Sequence, residues 1–296
     1  MKLLFSLSGS AFFKAVFAWV LLGLIGTSSL QAQNTPLNDS NFNTARDLWF
    51  SDQSTAIATY GHIKDWNITG VKNMSQAFMD KSTFDENITG WDVSNVTNMA
   101  DMFRGATSFN QPIGNWDIST VTNLQKMFSQ ASTFNQPIGD WNVSSVSRFG
   151  GMFNGADAFN QEIGDWNTSS ATHMDFMFYT NDSFNQPIGN WDVSSVINFK
   201  GIFAGASVFN QPIGDWNVTS AENLAGIFST ATVFNQDISS WQVPADANIT
   251  NMFNNSHALS SAHKGLIHSS FSSNSNWTYD WSAHVPAPAS LTNANF

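Results

Sequence analysis

Cysteine is absent from all 296 residues of the chain. The protein therefore forms no disulfide, offers no thiolate to a metal and has no cysteine nucleophile. The sequence also lacks a glycine-rich phosphate loop, a Gly-x-Ser-x-Gly motif and a His-Glu-x-x-His motif. We therefore predict that the protein is not an enzyme and that it has no catalytic residue, no cofactor-binding residue and no cofactor.

Charged residues are scarce, and basic residues are the scarcest. Only 11% of the residues are charged, and 22 acidic residues against 11 basic ones give a formal net charge of −11. Proteins that bind nucleic acids or anionic membranes use basic patches for that purpose. We therefore expect no nucleic-acid partner.

Long apolar runs are missing too, apart from one run near the start, from Ala15 to Gly26. This run follows Lys2 and Lys14, and its twelve residues are too few to span the ~30 Å of hydrocarbon in a bilayer. The pattern is typical of a secretory signal peptide over residues 1–32. We expect cleavage near Ala32, a secreted or cell-surface location, and a mature chain without a transmembrane span.

Tryptophan, in contrast, returns every 25 residues, eight times in succession. The series is Trp66, Trp91, Trp116, Trp141, Trp166, Trp191, Trp216 and Trp241. A phenylalanine follows each tryptophan after twelve residues, from Phe78 to Phe253. Self-similarity at such a fixed period is the mark of a solenoid, in which each unit packs on its neighbours. The sequence therefore predicts one elongated domain of eight coils over residues 63–259.

A single coil contains two local patterns. Residues 116–119 alternate apolar and polar, as a half-buried β-strand does. Four apolar residues then follow at spacings of three and four: Val121, Leu124, Met127 and Phe128. This spacing is typical of one face of a short helix, with Thr122 as its N-cap. The predicted fold is a repeat solenoid in which each coil has a short parallel β-strand and a short helical turn.

The two ends of the repeat array differ from its middle, as caps do. We expect an N-terminal cap over residues 33–62, with a helix whose N-cap is Ser40. A C-terminal cap over residues 260–284 should contain a helix that begins at Ser260. Three aromatic residues, Trp277, Tyr279 and Trp281, should cover the open end of the stack. The Pro-, Ala-, Ser- and Asn-rich residues 285–296 are expected to be disordered.

The residue pattern of the repeat resembles that of a known family. One unit reads Phe109-Asn110-Gln111-Pro112-Ile113-Gly114-Asn115-Trp116-Asp117-Ile118-Ser119-Thr120-Val121-Thr122-Asn123, followed by Met127-Phe128. It resembles the repeat of the BspA-like leucine-rich-repeat surface proteins of bacteria, and the resemblance covers Asp65 to Leu259. It implies a leucine-rich-repeat-like solenoid, secreted or on the cell surface, and adhesion in some members. Unlike lipid-anchored or wall-anchored members, this chain has no lipobox cysteine and no evident sorting signal.

A regular, elongated surface favours binding of an extended partner. We predict a non-enzymatic binding or adhesion module for an extracellular protein or polysaccharide. The expected binding face comprises polar residues near the tryptophans: Asn115, Asp117, Ser119, Asp140, Asn142, Ser144, Asp165, Asn167, Asn190 and Asp192. The alternatives are a purely structural spacer, an ice- or crystal-binding row of Ser and Thr, and a parallel β-helix enzyme that acts on polysaccharides. Arg104 and Arg148 lie two coils apart, which argues against the clustered charges that such an enzyme needs.

Each of the first seven coils has one aspartate beside its tryptophan. These residues are Asp65, Asp92, Asp117, Asp140, Asp165, Asp192 and Asp215. One interpretation is that a single carboxylate per coil keeps the face soluble without excessive repulsion. The other is a weak ladder of sites for Ca²⁺, which takes carboxylate and amide oxygens. No other metal site is expected, and we interpret His173, which replaces the Asn common at its position, as a surface variant.

Overall fold

The computed structural model describes residues 35–286. The expected signal peptide over residues 1–32 lies outside the described residues, as does all but Val285 and Pro286 of the expected disordered tail over residues 285–296. The helices are α1 (Phe42–Ser51), α2 (Gln53–Tyr60) and α3 (Ser261–Phe271), with short 3₁₀ helices at Ile63–Asp65 and Ser282–His284. Helices α1 and α2 therefore precede the 25-residue coils and α3 follows them.

The helix starts are set by short polar residues, and one of them differs from the expectation. The residue that precedes α1 is Asn41, not Ser40, and its side chain makes no capping hydrogen bond. At the start of α2, Asp52 Oδ1 accepts from the backbone N of Thr55 at 3.1 Å. Ser260 is the N-cap of α3, as expected, and its Oγ accepts from the backbone N of His263 at 3.1 Å.

The predicted β-strand in each coil is wrong. Across residues 35–286 no strand is formed, and the only β-pairing between neighbouring coils is a single parallel bridge between equivalent residues. In the third coil, no backbone–backbone hydrogen bond joins residues 116–119 to a neighbouring coil. Local turns use the polar groups instead: Asp117 Oδ1 accepts from Ser119 N at 3.0 Å, and Ile118 O accepts from Val121 N at 2.9 Å. A leucine-rich-repeat-like solenoid with one strand per coil is therefore ruled out.

The predicted helical turn is wrong for a related reason. Alternate backbone N–H groups of residues 124–130 donate to the next coil, for example Leu124 N to Arg148 O and Phe128 N to Met152 O, both at 2.9 Å. Of the N–H groups between them, Met127 N donates three residues back to Leu124 O at 3.1 Å, and Gln125 N donates to Asn123 Oδ1 at 3.0 Å. An α-helix would direct every one of these groups within its own segment.

Two residues in every such segment have a positive φ, which no right-handed helix tolerates. The first position holds Gln76, Asp101, Lys126, Gly151, Phe176, Gly201, Gly226 and Asn251, and the second holds Asp80, Gly105, Gln130, Gly155, Thr180, Gly205, Thr230 and Asn255. The apolar residues at spacings of three and four still enter the core. They do so from a chain of turns that is hydrogen-bonded to the adjacent coil.

Ladders of buried aromatic side chains hold the coils together, as the period predicts. The indole N–H of most tryptophans donates to an isoleucine carbonyl of the preceding coil, as Trp91 does to Ile63 O at 2.8 Å. Two phenylalanines stack within each of the first seven coils, such as Phe103 and Phe109 with ring centroids 3.8 Å apart. Phe103 also stacks on Phe128 of the next coil at 5.7 Å. Each ring therefore contacts its own coil and its neighbour.

A second ladder consists of amides at the surface. Asn160 Oδ1 accepts from the backbone N of Asn185 and from Gln186 Nε2, both at 3.0 Å, and Asn185 does the same for the next coil. The series begins at Asp85 and ends at Asn235, whose Oδ1 accepts from Ser260 N at 2.8 Å. The Asn-Gln pairs between coils thus join the whole stack to the start of α3.

Both ends of the stack are closed by side chains that replace a missing coil. At the first coil, Asp39 Oδ1 accepts from the backbone N of Lys72 at 2.8 Å and from that of Asn73 at 3.0 Å. At the last coil, the Tyr279 hydroxyl accepts from Phe253 N at 2.9 Å. Three aromatic rings also pack on Phe253, as expected: Trp277, Tyr279 and Trp281.

Candidate binding surface on the turn face

The residues beside the tryptophans form one exposed surface, here called the Trp-flanking face. The ten residues of the expected binding face lie on it: the Asn and Asp side chains are exposed, while Ser119 and Ser144 are partly buried. In the first seven coils, the residue after the tryptophan closes a local turn. Asp92 Oδ1, for example, accepts from Ser94 N at 3.1 Å and from Ser94 Oγ at 2.6 Å, and Asn142 Oδ1 accepts from Ser144 Oγ at 2.7 Å.

This turn explains why Asn and Asp alternate after the tryptophan. The accepting atom is Oδ1, which both side chains possess. The hydrogen bonds from the serine two residues later hold the pKa of Asp92, Asp117 and Asp192 below its usual range. Sequence reasoning missed the turn, although an Asn or Asp followed two residues later by Ser or Thr is its usual signal.

The seven aspartates of the hypothetical calcium ladder do not form a single row. Asp65, Asp140, Asp165 and Asp215 precede a tryptophan, and Asp92, Asp117 and Asp192 follow one. Equivalent positions of neighbouring coils therefore bring together pairs only, such as Asp92 with Asp117. Within residues 35–286, no three His, Asp or Glu side chains are grouped in a way that could hold a metal ion.

A different surface departs most from the repeat, and we call it the turn face. It consists of the positive-φ segments with their bridge residues: residues 73–80, 98–105, 123–130, 148–155, 173–180, 198–205, 223–230 and 248–255. Six of the eight bridge residues are Asn, whose Oδ1 accepts from the backbone N two residues later, as Asn123 does from Gln125 at 3.0 Å. The other two are Arg148 and His173, which have no such acceptor.

Basic residues are concentrated on the turn face. Between residues 101 and 253 the chain has four Lys or Arg residues, and all four lie on this face: Arg104, Lys126, Arg148 and Lys200. Arg104 pairs with Asp101 at 3.3 Å, while Lys126, Arg148 and Lys200 form no ion pair with any described residue. The turn face therefore presents free positive charge on a protein that is acidic as a whole.

An open groove of about 430 Å³ crosses the turn face between the fifth and eighth coils. Small residues contribute to its lining: Gly201, Ala204, Ala225 and Gly226. The other lining residues include Phe176 and Lys200, together with amides and hydroxyls: Asn223, Asn248, Asn251, Asn254, Ser229 and Thr250. The groove exists because the positions equivalent to Phe176 in the next two coils are glycines.

The aromatic edge of this groove has an unusual backbone. Phe176 has a φ of 56°, a conformation that is rare for a bulky residue. Its ring lies directly over Gly201, since a Cβ added there would be 2.7 Å from Phe176 Cε1. Tyr179, which is 39% exposed, packs edge-on against Phe176 at 5.6 Å, and Lys200 Nζ lies 5.6 Å from the Phe176 ring centroid.

A smaller cavity of about 140 Å³ lies beside the groove on the same face. Arg148, His173 and Asp175 line it, and Gly150 leaves room for the carboxylate, since a Cβ there would be 3.0 Å from Asp175 Oδ1. His173 Nδ1 is hydrogen-bonded to Thr172 Oγ1 at 2.9 Å. This set offers a cation, an imidazole and one carboxylate. Glycoside hydrolysis uses two carboxylates, so the cavity is better suited to holding an acidic group than to cleaving a sugar chain.

Sequence reasoning did not identify the turn face, although a signal was present. Aligning the coils at their 25-residue period shows where one coil differs from the others. Arg148 and His173 replace an Asn that the other six coils share, and Phe176 and Tyr179 are the only aromatic residues at two positions that vary between coils. All four fall within coils four and five. The prediction of the coils rested on residues that are the same in every coil. This surface is marked by residues that differ between coils.

Comparison with known proteins places the repeats in a family. The chain matches the family described as "Mycoplasma protein of unknown function, DUF285" over residues 46–166 and again over residues 149–265. No curated protein and no solved structure matches the chain. Among the helices of residues 35–286, none has the length and apolar character required to cross a membrane.

Proposed function

The chain belongs to the family described as "Mycoplasma protein of unknown function, DUF285", and from this premise we propose that it is a non-enzymatic binding module for an extended partner. The partner runs along the turn face of the stacked coils. As in the BspA-like surface proteins that the repeat resembles, the proposed location is secreted or on the cell surface. The signal-like segment over residues 1–32 supports this location.

The departure of the turn face from the repeat is the observation that carries the proposal. Stacking requires the buried ladders, and each coil supplies them in the same way. The exposed residues of the turn face are free of that requirement, and there the chain has a groove, an aromatic pair and unpaired cations. An open groove of this kind accommodates a chain better than a compact ligand, which binding pockets enclose almost completely.

Several weak contacts in successive coils would give such a partner its affinity. Contacts that a single chain makes to neighbouring coils act together, because the first contact raises the effective concentration at the next. The proposal therefore predicts that binding strengthens with the length of the partner.

The test is a binding array of extracellular matrix proteins and polysaccharides with the chain from residue 33. A variant called the regularised variant replaces four residues with those found at the same positions of other coils: Arg148→Asn, His173→Asn, Phe176→Gly and Tyr179→Ser. Because other coils accept each of these residues at the same position, the variant should fold. We expect wild type to bind at least one partner and the regularised variant to lose at least about tenfold in affinity, the scale of a lost hot spot.

The matched control changes the Trp-flanking face instead, with Asp117→Asn and Asp140→Asn. It should bind as wild type does. Equal binding by the wild-type protein and the regularised variant would remove the turn face from the proposal. No binding to any partner would favour a structural spacer, and turnover of any polysaccharide would contradict a non-enzymatic role.

A further inference from the structure

We infer that the groove on the turn face binds a segment of a neutral polysaccharide, with Phe176 as the stacking platform for a sugar ring and Tyr179 packed against the Phe176 ring from outside the groove. This inference rests on the proposed binding function and names the chemical class of the partner. It follows from the aromatic pair, the shape of the groove and the chemistry of its lining.

The aromatic pair has no evident role in the stack. Within the described coils, Phe176 and Tyr179 are the only Phe, Tyr or Trp residues at the solvent-facing positions of the turn face. The core is built by other rings, such as Phe178 and Phe184, which stack at 3.9 Å. Phe176 also retains a strained φ at a position where Gly151 and Gly201 meet the same backbone requirement without strain. Phe176 is the only aromatic residue among the described residues with a positive φ.

The shape of the groove places the ring beside an open channel. Phe176 covers Gly201, and Gly226 of the following coil has no ring above it. A Cβ added at Gly226 would have only Ser229 Cβ within contact distance, at 3.8 Å. The Phe176 ring and the uncovered Gly226 thus form a ledge next to a channel. A sugar ring could lie on the ledge while the rest of its chain follows the channel.

The lining matches the hydroxyl groups of a sugar. No carboxylate lines the groove, and its single charged residue is Lys200. Asn223 and Asn248 each use Oδ1 to accept a backbone N–H, and their Nδ2 groups, which have no partner among the described residues, remain as donors. Asn251 and Asn254 add amides that donate and accept. Sugar hydroxyls require both roles, and the C–H face of a pyranose stacks on an aromatic ring.

An acidic glycan or a protein fits this groove less well. The unpaired cations Lys126 and Arg148 belong to earlier coils and do not line the groove. Protein interfaces concentrate their energy in dry pockets filled by large apolar or Arg side chains. This groove is open and its lining is mostly amides and hydroxyls. The observations therefore favour a neutral sugar chain.

The test measures binding of defined hexasaccharides by calorimetry, with the chain from residue 33. The neutral probes are cellohexaose, mannohexaose and chitohexaose, and the acidic probe is hexagalacturonate. We expect at least one neutral probe to bind. Phe176→Gly should weaken that binding by at least about tenfold, as loss of a central aromatic contact does. Tyr179→Ser should weaken it less, because Tyr179 packs on Phe176 and does not line the groove.

Two controls separate loss of binding from loss of folding. Phe176→Gly should melt at or above the wild-type temperature, because glycine relieves the positive φ. Asn154→Ser changes the position equivalent to Tyr179 in the fourth coil and should bind as wild type does. If no neutral probe binds, or if binding survives Phe176→Gly, the inference is wrong. If the regularised variant then still binds a protein or an acidic partner more weakly than wild type does, the proposed binding function stands without the polysaccharide inference.

Discussion

At the scale of the residue, one atom decides which side chains the repeat accepts after each tryptophan. The Oδ1 of Asn or Asp accepts from the serine or threonine two residues later, as in Asn67 with Thr69 and Asp192 with Ser194. A carboxylate in this turn is stabilised in its charged form by the same hydrogen bonds that an amide would accept. The charge of the surface can therefore vary from coil to coil without changing the turn.

The lowered pKa of Asp92, Asp117 and Asp192 predicts a dependence of stability on pH. Because the folded pKa lies below the unfolded value of about 3.9, these groups stabilise the fold above that value. That contribution is lost as the pH falls through the folded pKa. We expect the melting temperature to fall as the pH is lowered from about 5 to about 2, and to fall less in the triple Asp→Asn variant of these residues.

The matched control for this measurement replaces Asp140, Asp165 and Asp215, which precede a tryptophan. Their side chains make no hydrogen bond to a serine among the described residues. The melting temperature of this control should fall at low pH nearly as much as that of the wild-type protein, and more than that of the triple variant. An equal reduction in both variants would mean that overall charge, not the turn, sets the acid sensitivity.

Thr180 is a second residue whose backbone predicts an effect on stability. Its φ of 51° is unfavourable for a β-branched side chain, and Gly155 and Gly205 occupy the same position in neighbouring coils. Strain of about 1–3 kcal/mol is typical of such residues. Glycine loses about 0.5–1 kcal/mol more backbone entropy on folding. We expect Thr180→Gly to raise the melting temperature by a few degrees in thermal unfolding.

Thr83→Gly is the control for this substitution, because Thr83 is exposed and does not have a positive φ. Glycine there should lower the melting temperature, since only the entropy cost remains. If Thr180→Gly is as destabilising as Thr83→Gly, the backbone at residue 180 is not strained.

At the scale of the element, each coil replaces strand and helix with a chain of turns. The Phe128 N–H donates to the next coil, and the Ser129 N–H, at 3.1 Å from Lys126 O, stays within its own. Coils are thereby joined by backbone hydrogen bonds without any regular strand. Glycine at a positive-φ position of such a segment stabilises the fold, whereas glycine in a helix destabilises it by about 1 kcal/mol.

Gly155→Ala tests this difference directly. In a helix the substitution would stabilise, but here φ is 62°, and the nearest foreign atom to an added Cβ is 3.6 Å away. The effect is therefore conformational and not steric. We expect destabilisation of about 1–2 kcal/mol, the cost of a left-handed conformation for an L-residue, in urea unfolding.

Gly90→Ala is the matched control in the same protein. Gly90 does not have a positive φ, and an added Cβ would meet nothing within 4 Å. Alanine there should leave stability unchanged or raise it by a few tenths of a kcal/mol, since it restricts the unfolded chain. A stabilising effect of Gly155→Ala would contradict the turn structure of the coil.

At the scale of the whole molecule, stability depends on how the two open ends are closed. A terminal coil has a neighbour on one side only, so its outward backbone groups need other partners. Asp39 supplies acceptors at one end and Tyr279 at the other. Burial raises the pKa of Tyr279, so its ionisation at alkaline pH destabilises the cap.

Tyr279→Phe should loosen the last coil. The substitution keeps the ring against Phe253 but removes the acceptor of its backbone N–H, which costs about 1–3 kcal/mol for a buried donor. We expect faster hydrogen exchange in residues 248–255, with little change in residues 123–130. Uniformly faster exchange along the chain would show that the stack opens as one unit and that the cap is not a local element.

Much of this organisation is readable from the sequence because it repeats. The 25-residue period identifies Trp116, Phe128 and their equivalents as core, and these residues are buried. Ser260 and the aromatic residues near the end identify a closing cap in the same way. Side chains that must enter the core in every coil produce a periodic pattern in the sequence, whether the backbone is a helix or a chain of turns.

Only the tertiary structure decided the backbone itself. Apolar spacings of three and four report that side chains face the core, and a helix or a chain of turns with left-handed residues meets that condition equally well. What separates them is whether the N–H of a residue such as Lys126 finds an acceptor in its own coil or in the next, and here it is Gly150 O of the next coil at 2.9 Å. The groove likewise arises from residues 25 apart, because Phe176 and Gly201 become neighbours only when the coils stack.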